Sequence, residues 1–266
     1  MATLPWRSDG EMVARCACGG YAALERMAMN GIKVAMLTAL LGIVPVQMKE
    51  PAVTQGYAVK VEFENEQIRV TRVHYAPRAT SPMHTHTGRA VVAITGSHLR
   101  VTTSDGKTQE TQRRPGEIYW GDSVTHSAEN LTDAPVETIE IEVKTANMPG
   151  VPVNTPSVDV ASLKEPVPVE MEPHHHVVLQ NQYVRVLDVL FPPGDPALFH
   201  THSNDNVSVA LSGDKTKSQS MGGEWSAPND VVAGQVAFHK AKGQPYTHRV
   251  GSAGMQAFHV IDVEIF

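Results

Sequence analysis

One stretch of this chain is written twice. Asn65 to Pro77 reads NEQIRVTRVHYAP and Asn181 to Pro193 reads NQYVRVLDVLFPP, so that Asn65/Asn181, Arg69/Arg185, Val70/Val186, Val73/Val189 and Pro77/Pro193 coincide, with Tyr75 matched by Phe191. The same offset lays His84-Thr85-His86 on His200-Thr201-His202, and one further residue brings Gly96 onto Gly213. Unrelated strands share a few valines; they do not share an HTH triplet in register with a common asparagine. Two copies of one folding unit are therefore expected, which constrains the chain more than any single motif.

The period inside each copy is that of strands. Tyr57 to Glu62, Ile68 to Tyr75, Val91 to Ile94, His98 to Thr103 and Val136 to Val143 are short runs of branched and aromatic residues bounded by Gly, Pro, Asn and Asp. Val184 to Phe191, Val207 to Leu211, Val231 to Phe238 and Phe258 to Phe266 continue the pattern. A 3.6-residue repeat is almost wholly missing, so the body reads as all-β. Four segments result: a leader 1–52, a first barrel 53–146, a connector 147–173 and a second barrel 174–266. Six of the chain's 18 prolines fall between Ala146 and Pro173. Proline lacks a ladder donor, so the connector should lie extended on the surface, with edge pairing near Val158 to Leu163.

Composition removes several functions. Twenty-two Lys and Arg against 28 Asp and Glu give a formal charge of -6, which lacks the positive field that nucleic acids require. The 2 cysteines, Cys16 and Cys18, stand one residue apart in the leader, which excludes a disulfide scaffold and a four-cysteine zinc module. No P-loop, HExxH or nucleotide-binding glycine turn is present. In the leader, Lys33 precedes the apolar run Val34 to Val46, a short helical or signal-like segment too brief to span a bilayer. It favours a periplasmic or secreted protein, with a buried helix, a membrane tether and a cytoplasmic location as the alternatives.

The histidine motifs carry the chemistry. The first copy has SPMHTHTGRAVVAITG (Ser81 to Gly96) and then RPGEIYWGDSVTHSAEN (Arg114 to Asn130); the second has ALFHTHSNDNVSVALSG (Ala197 to Gly213) and then GQVAFHKAKGQPYTHRV (Gly234 to Val250). In order and kind these resemble the two motifs of the cupin superfamily, and their duplication resembles its two-domain members, the bicupins. The resemblance implies two tandem jelly-roll barrels, each a double-stranded β-helix, packed on one another or paired into a homodimer through barrel sheets. It excludes the first fifty residues, and the second motif of the second copy is looser.

Two histidines separated by one residue point to the same side of a strand. With a third from a neighbouring strand they offer neutral nitrogen ligands to a divalent transition metal, Fe, Mn, Zn or Ni. The sets are His84, His86 and His126 in the first barrel and His200, His202 and His248 in the second, with His239 the alternative to His248 and Asn206 a weak neutral ligand. The acidic ligand of the family is missing: its place falls on Arg89 in one copy and Asn206 in the other. Arg89 either answers an anionic substrate or points to solvent. Asp122, ahead of His126, either steers a proton as the catalytic carboxylate or caps a turn. The tract His174 to His176 reads as exposed, only its outer two residues sharing a face, while His74, His98 and His259 read as framework. Tyr119, Trp120, Met83 and Phe199 stand beside the motifs and either face a small ligand or fill the barrels.

The function expected is therefore a metal-binding bicupin, dioxygenase-like, oxidising a small organic molecule. A metal-dependent isomerase or lyase and a non-catalytic ligand-binding or structural cupin are the alternatives.

Overall fold

The computed structural model describes residues 55–154 and 164–266; the leader, its apolar run and the expected edge pairing near Val158 to Leu163 lie outside the described residues. The first copy comprises β1 (Tyr57–Glu64), β2 (Ile68–Tyr75), β3 (His84–His86), β4 (Arg89–Ala93), β5 (Ser97–Thr103), β6 (Thr108–Arg113), β7 (Ile118–Gly121), β8 (Val124–Asn130) and β9 (Val136–Val143). Then come β10 (Val167–Pro168) and a 3-10 turn at Val169–Met171, followed by β11 (His175–Gln180), β12 (Val184–Phe191), β13 (His200–His202) and β14 (Asn206–Ser212). The chain ends with β15 (Lys215–Ser220), β16 (Asn229–Asp230), β17 (Val236–His239), β18 (Tyr246–Ser252) and β19 (Phe258–Ile265).

Each copy is two facing sheets. The first has the orders β1-β2-β9-β4-β7 and β3-β8-β5-β6; the second has β11-β12-β19-β14-β17 and β13-β18-β15-β16, and so repeats the first strand for strand. Its addition is β10, which pairs in parallel with β13 through Val167–His200. Among the described residues no helix is long and apolar enough to cross a membrane.

Alternation along β9 and β19 explains how the copies join. In β9, Ile139, Ile141 and Val143 share one face, while Thr138, Glu140 and Glu142 share the other. The apolar face turns outward. It meets Ile261, Val263 and Ile265 of β19 in one core that also contains Ile68, Val70, Val92, Val184, Val186 and Val209. At about 1.5–3 kcal/mol per fully buried Val or Ile side chain, this shared wall is a major stabilising element of both barrels. Contacts at its edges are reciprocal: Trp120 of β7 stacks on Tyr183 at 5.6 Å, and Phe238, the equivalent residue of β17, stacks on Phe63 at 4.2 Å. Arg72 also donates to the Gly234 carbonyl at 2.5 Å.

Each barrel keeps a smaller apolar interior, Tyr57, Val73, Tyr75 and Ala128 in the first and Leu187, Val189, Phe191 and Val260 in the second. The strand expected over Val231 to Phe238 is shorter than its apolar run. Gly234, at φ +79°, makes a turn there whose N–H binds the Ala210 carbonyl, and pairing begins only at Val236.

Candidate metal centres

Strand register assembles the same triad twice. Antiparallel pairing of β3 with β8 sets His84 opposite His126, and pairing of β13 with β18 sets His200 opposite His248. Beside them the Thr85 and Thr125 hydroxyls lie 2.8 Å apart, as do those of Thr201 and Thr247. His86 and His202 follow on the same face by the period of two. In the first barrel the ring centroids are 4.6 Å (His84–His86), 4.8 Å (His84–His126) and 5.2 Å (His86–His126) apart. In the second, His200 lies 5.1 Å from His202 and 4.8 Å from His248. His239, the alternative third ligand, is on β17 opposite Asn206 and meets the Ser208 hydroxyl at 3.3 Å.

A fourth imidazole enters the second centre. His175 is buried, its ring 4.5 Å from that of His200, and its ligand nitrogen lies within 4.8 Å of those of His200 and His202. This corrects the reading of the 174–176 tract as exposed: its middle residue, not the outer pair, turns inward. Nδ1 of His175 is 2.6 Å from Glu172, a buried carboxylate that also meets His174 and accepts from the Leu198 N–H. The repeat held the signal, because His175 falls on Val59 of the first copy, and Val59 packs into the first barrel's interior.

The hydrogen bonds fix which nitrogen is free. A carbonyl only accepts, so Nδ1–H of His84 donates to Pro82 at 2.7 Å and Nδ1–H of His200 donates to Leu198 at 2.9 Å. His86 Nδ1 is 2.6 Å from Glu142, whose carboxyl is held below its ordinary value because the His86 contact outweighs burial. The Asn206 amide lies 3.3 Å from His202 Nδ1 and 3.1 Å from the Tyr246 hydroxyl; an amide offers either oxygen or NH2, so it serves either tautomer. Nε2 of His86, His200 and His248 are buried without a hydrogen-bond partner. Buried polar atoms left unpaired are costly, and convergent lone pairs lack a shared electron-pair acceptor. The residues therefore fit a transition metal, and the carboxylate and carbonyl partners of Nδ1 are those expected behind metal-bound histidines.

Charge differs between the centres. Burial lowers His84, and burial with the nearby Arg89 charge brings His126 down to about 3. Burial, helped by neighbouring imidazoles, brings His200 to about 3 and His248 to about 4 and holds His202 lower still. These rings are neutral at pH 7, the state a metal binds. Arg89 is 4% exposed and stands 3.0 Å from Glu140, inside the first barrel. Its counterpart Asn206 is neutral, and there Asp262 is pushed well above the usual carboxylate range by burial and by Glu264. The first cavity is about 180 Å3, with His84, His126, Arg89 and Tyr119 in its wall. The second is about 380 Å3, with all four histidines, Tyr246 and apolar walls of Val189, Phe191 and Phe258.

Several expected site residues lie elsewhere. Asp122 is not brought to the His84 triad: its carboxylate accepts from Trp120 Nε1 at 2.8 Å and from the Gly150 N–H at 2.9 Å, tying the connector to β7. The inward carboxylates are instead Glu140 and Glu142, which sequence reading missed because ETIEIEV resembles a strand with its acids in water. Trp120 faces Tyr183, Met83 is half-exposed and Phe199 lies under the Arg249 guanidinium, leaving Tyr119 as the one of the four in a cavity wall.

No protein-family model matches the chain, and no curated protein does. Solved structures do. AerE from Microcystis aeruginosa superposes with a TM-score of 0.57 at 14% identity, over 82% of this chain and 97% of that one. Oxalate decarboxylase from Bacillus subtilis gives 0.54 at 14% identity over 81% and 74% of the two chains. A cupin 2 conserved barrel domain protein from Leptotrichia buccalis gives 0.50 at 14% over 81% and 91%. The fold is thereby that of the two-barrel cupins. Within that fold, the chain has two histidine clusters that can hold metal.

Proposed function

We propose that this bicupin is a metal-dependent oxidoreductase of the dioxygenase type, acting on a small organic molecule. The observation that carries the reading is the convergence of histidine nitrogens in each barrel, with Nε2 of His86 in the first and of His200 and His248 in the second buried and unpartnered. His84, His86 and His126 would hold one divalent ion, and His200, His202 and His248 the other, with His175 as a fourth ligand; Fe, Mn, Zn and Ni all suit imidazole. When bound, such a metal supplies open positions at which a substrate oxygen or sulfur and O2 exchange charge.

The chain's own residues prepare those positions. Pro82 and Leu198 carbonyls hold His84 and His200 in the tautomer that presents Nε2. Glu172 orients His175 through Nδ1. Val189, Phe191 and Phe258 give the second cavity apolar walls that disfavour bulk water. Asp262, whose carboxyl is pushed well above its ordinary range by burial and Glu264, lies 3.6 Å from His202 Nδ1, where it can hold a proton beside the ligand set.

A metal-dependent lyase is the second reading, favoured by the fixed cation Arg89 beside the first triad, which suits a carboxylate substrate. Metal analysis of the purified protein, then oxygen uptake on a panel of thiols, diketones and phenolic acids, tests the proposal. Uptake that requires the metal supports it, turnover without oxygen establishes the lyase, and bound metal without any turnover leaves a ligand-binding role. From Lys33 and the apolar run that follows we also infer export to the periplasm or medium, to be tested by fractionation of the expressing cell.

A further inference from the structure

The second barrel has a strand for which the first shows no counterpart among the described residues. Its smaller sheet begins at β10, where Val167 pairs in parallel with His200 and Pro168 with Thr201. The Val167 N–H donates to the Phe199 carbonyl at 3.0 Å, and the Phe199 N–H donates to Glu165 Oε2 at 3.2 Å. The first barrel presents the same edge at β3. The Ser81 N–H donates to the Ala128 carbonyl and the Ala197 N–H to that of Val250, both at 2.8 Å, and His84 faces His126 as His200 faces His248. The backbone of Met83 is therefore turned away from β8 as that of Phe199 is from β18. Among the described residues no hydrogen bond reaches its N–H or C=O, and Met83 is 49% exposed. His84 and His86 behind this edge are only partly buried, whereas His200 and His202 are buried.

The sequence holds an occupant for that edge. Lys164-Glu165-Pro166 stands immediately before β10, and the same triplet recurs as Lys49-Glu50-Pro51, followed by Ala52 and Val53; it occurs nowhere else in the chain. The offset is 115, one less than the 116 that relates the strands, so the first copy has one residue fewer in the link to its barrel. Residues 169–174 join Pro168 to His175 and include the 3-10 turn Val169–Met171, while residues 54–58 join Val53 to Val59, the equivalent of His175. A 3-10 turn advances about 2.0 Å per residue and extended chain about 3.3 Å, so the shorter link covers the same gap without the turn.

We propose that residues 49–53 add to the open edge of β3 as a parallel strand, the counterpart of β10, with the Ala52 N–H donating to the Met83 carbonyl and Glu50 accepting from the Met83 N–H. An unpaired edge is a template for such addition, and the carboxylate contributes a charge-assisted bond to it. The short link holds the segment at a high effective concentration beside its own barrel, which favours it over the same segment of a second copy. The sheet that carries the first histidine triad then begins directly after the apolar run of the leader, so that whatever holds or cuts the leader acts next to that triad. The inference needs no metal and stands apart from the proposed activity.

Amide exchange and NOE spectra of the full chain test it. Exchange at Ala52 is expected to be slowed about tenfold or more against an unstructured amide. NOEs should join Ala52 to His84 and Val53 to Thr85, the pairs that mirror Val167–His200 and Pro168–Thr201. Glu50→Ala should speed exchange at Met83 several-fold and leave Phe199 unchanged. Ala52→Pro, which removes the donor, should erase the Val53–Thr85 NOE while those between β3 and β8 persist. Fast exchange at Ala52 without NOEs to β3, docking of the segment on another strand, or exchange at Met83 indifferent to Glu50→Ala overturns the proposal. In an equal mixture of 15N-labelled and 13C-labelled chains, NOEs confined to one label support it, and NOEs between the labels overturn it by assigning the strand to a second copy.

Discussion

The two barrels share one ladder and differ in what it carries. His84 faces His126 and His200 faces His248 in the same register, yet the first barrel surrounds its triad with Arg89, Glu140 and Glu142 while the second adds His175 and buries neutral Asn206 beside it. Two substitutions at equivalent positions, Val59 against His175 and Arg89 against Asn206, account for most of this. A duplicated barrel can thus keep the backbone that aims three imidazoles while exchanging neighbours to alter ligand number, charge and cavity size. The first centre gains a fixed cation in a small cavity; the second gains a ligand and a cavity about twice as large.

The largest expected effect concerns what the barrels have in common. Ile141 and Ile261 are wholly buried in the shared wall. Ile141→Ala and Ile261→Ala should each cost about 3 kcal/mol, the usual range for emptying such a site being about 2–5 kcal/mol. Since the wall belongs to both barrels, urea unfolding should remain a single transition shifted by similar amounts in either variant. Two separated transitions would show that the barrels are stabilised independently and that the shared core is of little consequence.

Next in size is metal removal. An ion present at about 100 times its dissociation constant adds about 2.7 kcal/mol to the folded state, so chelation should lower the melting temperature by about 5–10 °C. The stripped chain should then become acid-sensitive. His126, His200 and His248 have folded values near 3 or 4, below the unfolded value of about 6.5, so the unfolded chain binds protons that the fold refuses. Stability is therefore complete above about pH 6.5, falls as pH drops from there, and levels below the folded values. The slope is about 1.4 kcal/mol per pH unit for each extra proton taken up on unfolding. Urea midpoints between pH 7.5 and 5 measure it. Replacing His200 and His248 with Gln should flatten the profile more than replacing His84 and His126, since the four-histidine cluster is the larger source; the opposite order would invert the comparison.

These differences were unequally legible. The repeat and the HTH triplets fix the strands that matter, and β3 and β13 could be placed although each has only three polar residues, because a motif marked them where periodicity did not. His175 was hidden by its neighbours: adjacent histidines alternate across a strand, and nothing local says which one turns inward. Glu140 and Glu142 were hidden by the packing of the barrels. An alternating strand normally puts its apolar residues into its own core, but here Ile139 and Ile141 are spent on the other barrel and the acids are left facing the lumen. Arg89 was readable as a departure from the family pattern, with its direction undecided until Glu140 and Gly121 were placed. The chemistry of the substrate leaves no pattern along the chain, since the cavity walls come from strands far apart in sequence.

A reciprocal exchange sharpens the comparison of ligand number. His175→Val gives the second barrel the residue that the first has at Val59, and should weaken metal there about tenfold or more, or about 1.4 kcal/mol, with little change in fold because a valine at that place is already tolerated. Glu172 keeps its contacts with His174 and the Leu198 N–H. Competition with a chromophoric chelator in the His84→Ala, His86→Ala background reads the second centre by itself. An unchanged affinity would make His175 a hydrogen-bonded core residue and reduce both centres to the same three-histidine set.

The smallest effect concerns the glycine that accompanies the cation. In β7, Gly121→Ala would set a methyl group 3.3 Å from Arg89 Nη1, closer than an unstrained contact, although alanine suits the extended backbone better than glycine. The clash and the backbone gain oppose one another, and the buried guanidinium has little room to yield, so a net loss of about 1 kcal/mol or less is expected. With Asn at position 89, as in the second barrel's Asn206, the clash vanishes and the same Gly121→Ala change should become neutral or stabilising. The double-mutant cycle isolates that coupling, which should exceed about 0.5 kcal/mol for residues in contact. If the two changes instead add without interaction, Gly121 is not what admits Arg89, and the pairing of cation and glycine in the first barrel, against Asn206 and His239 in the second, loses its steric explanation.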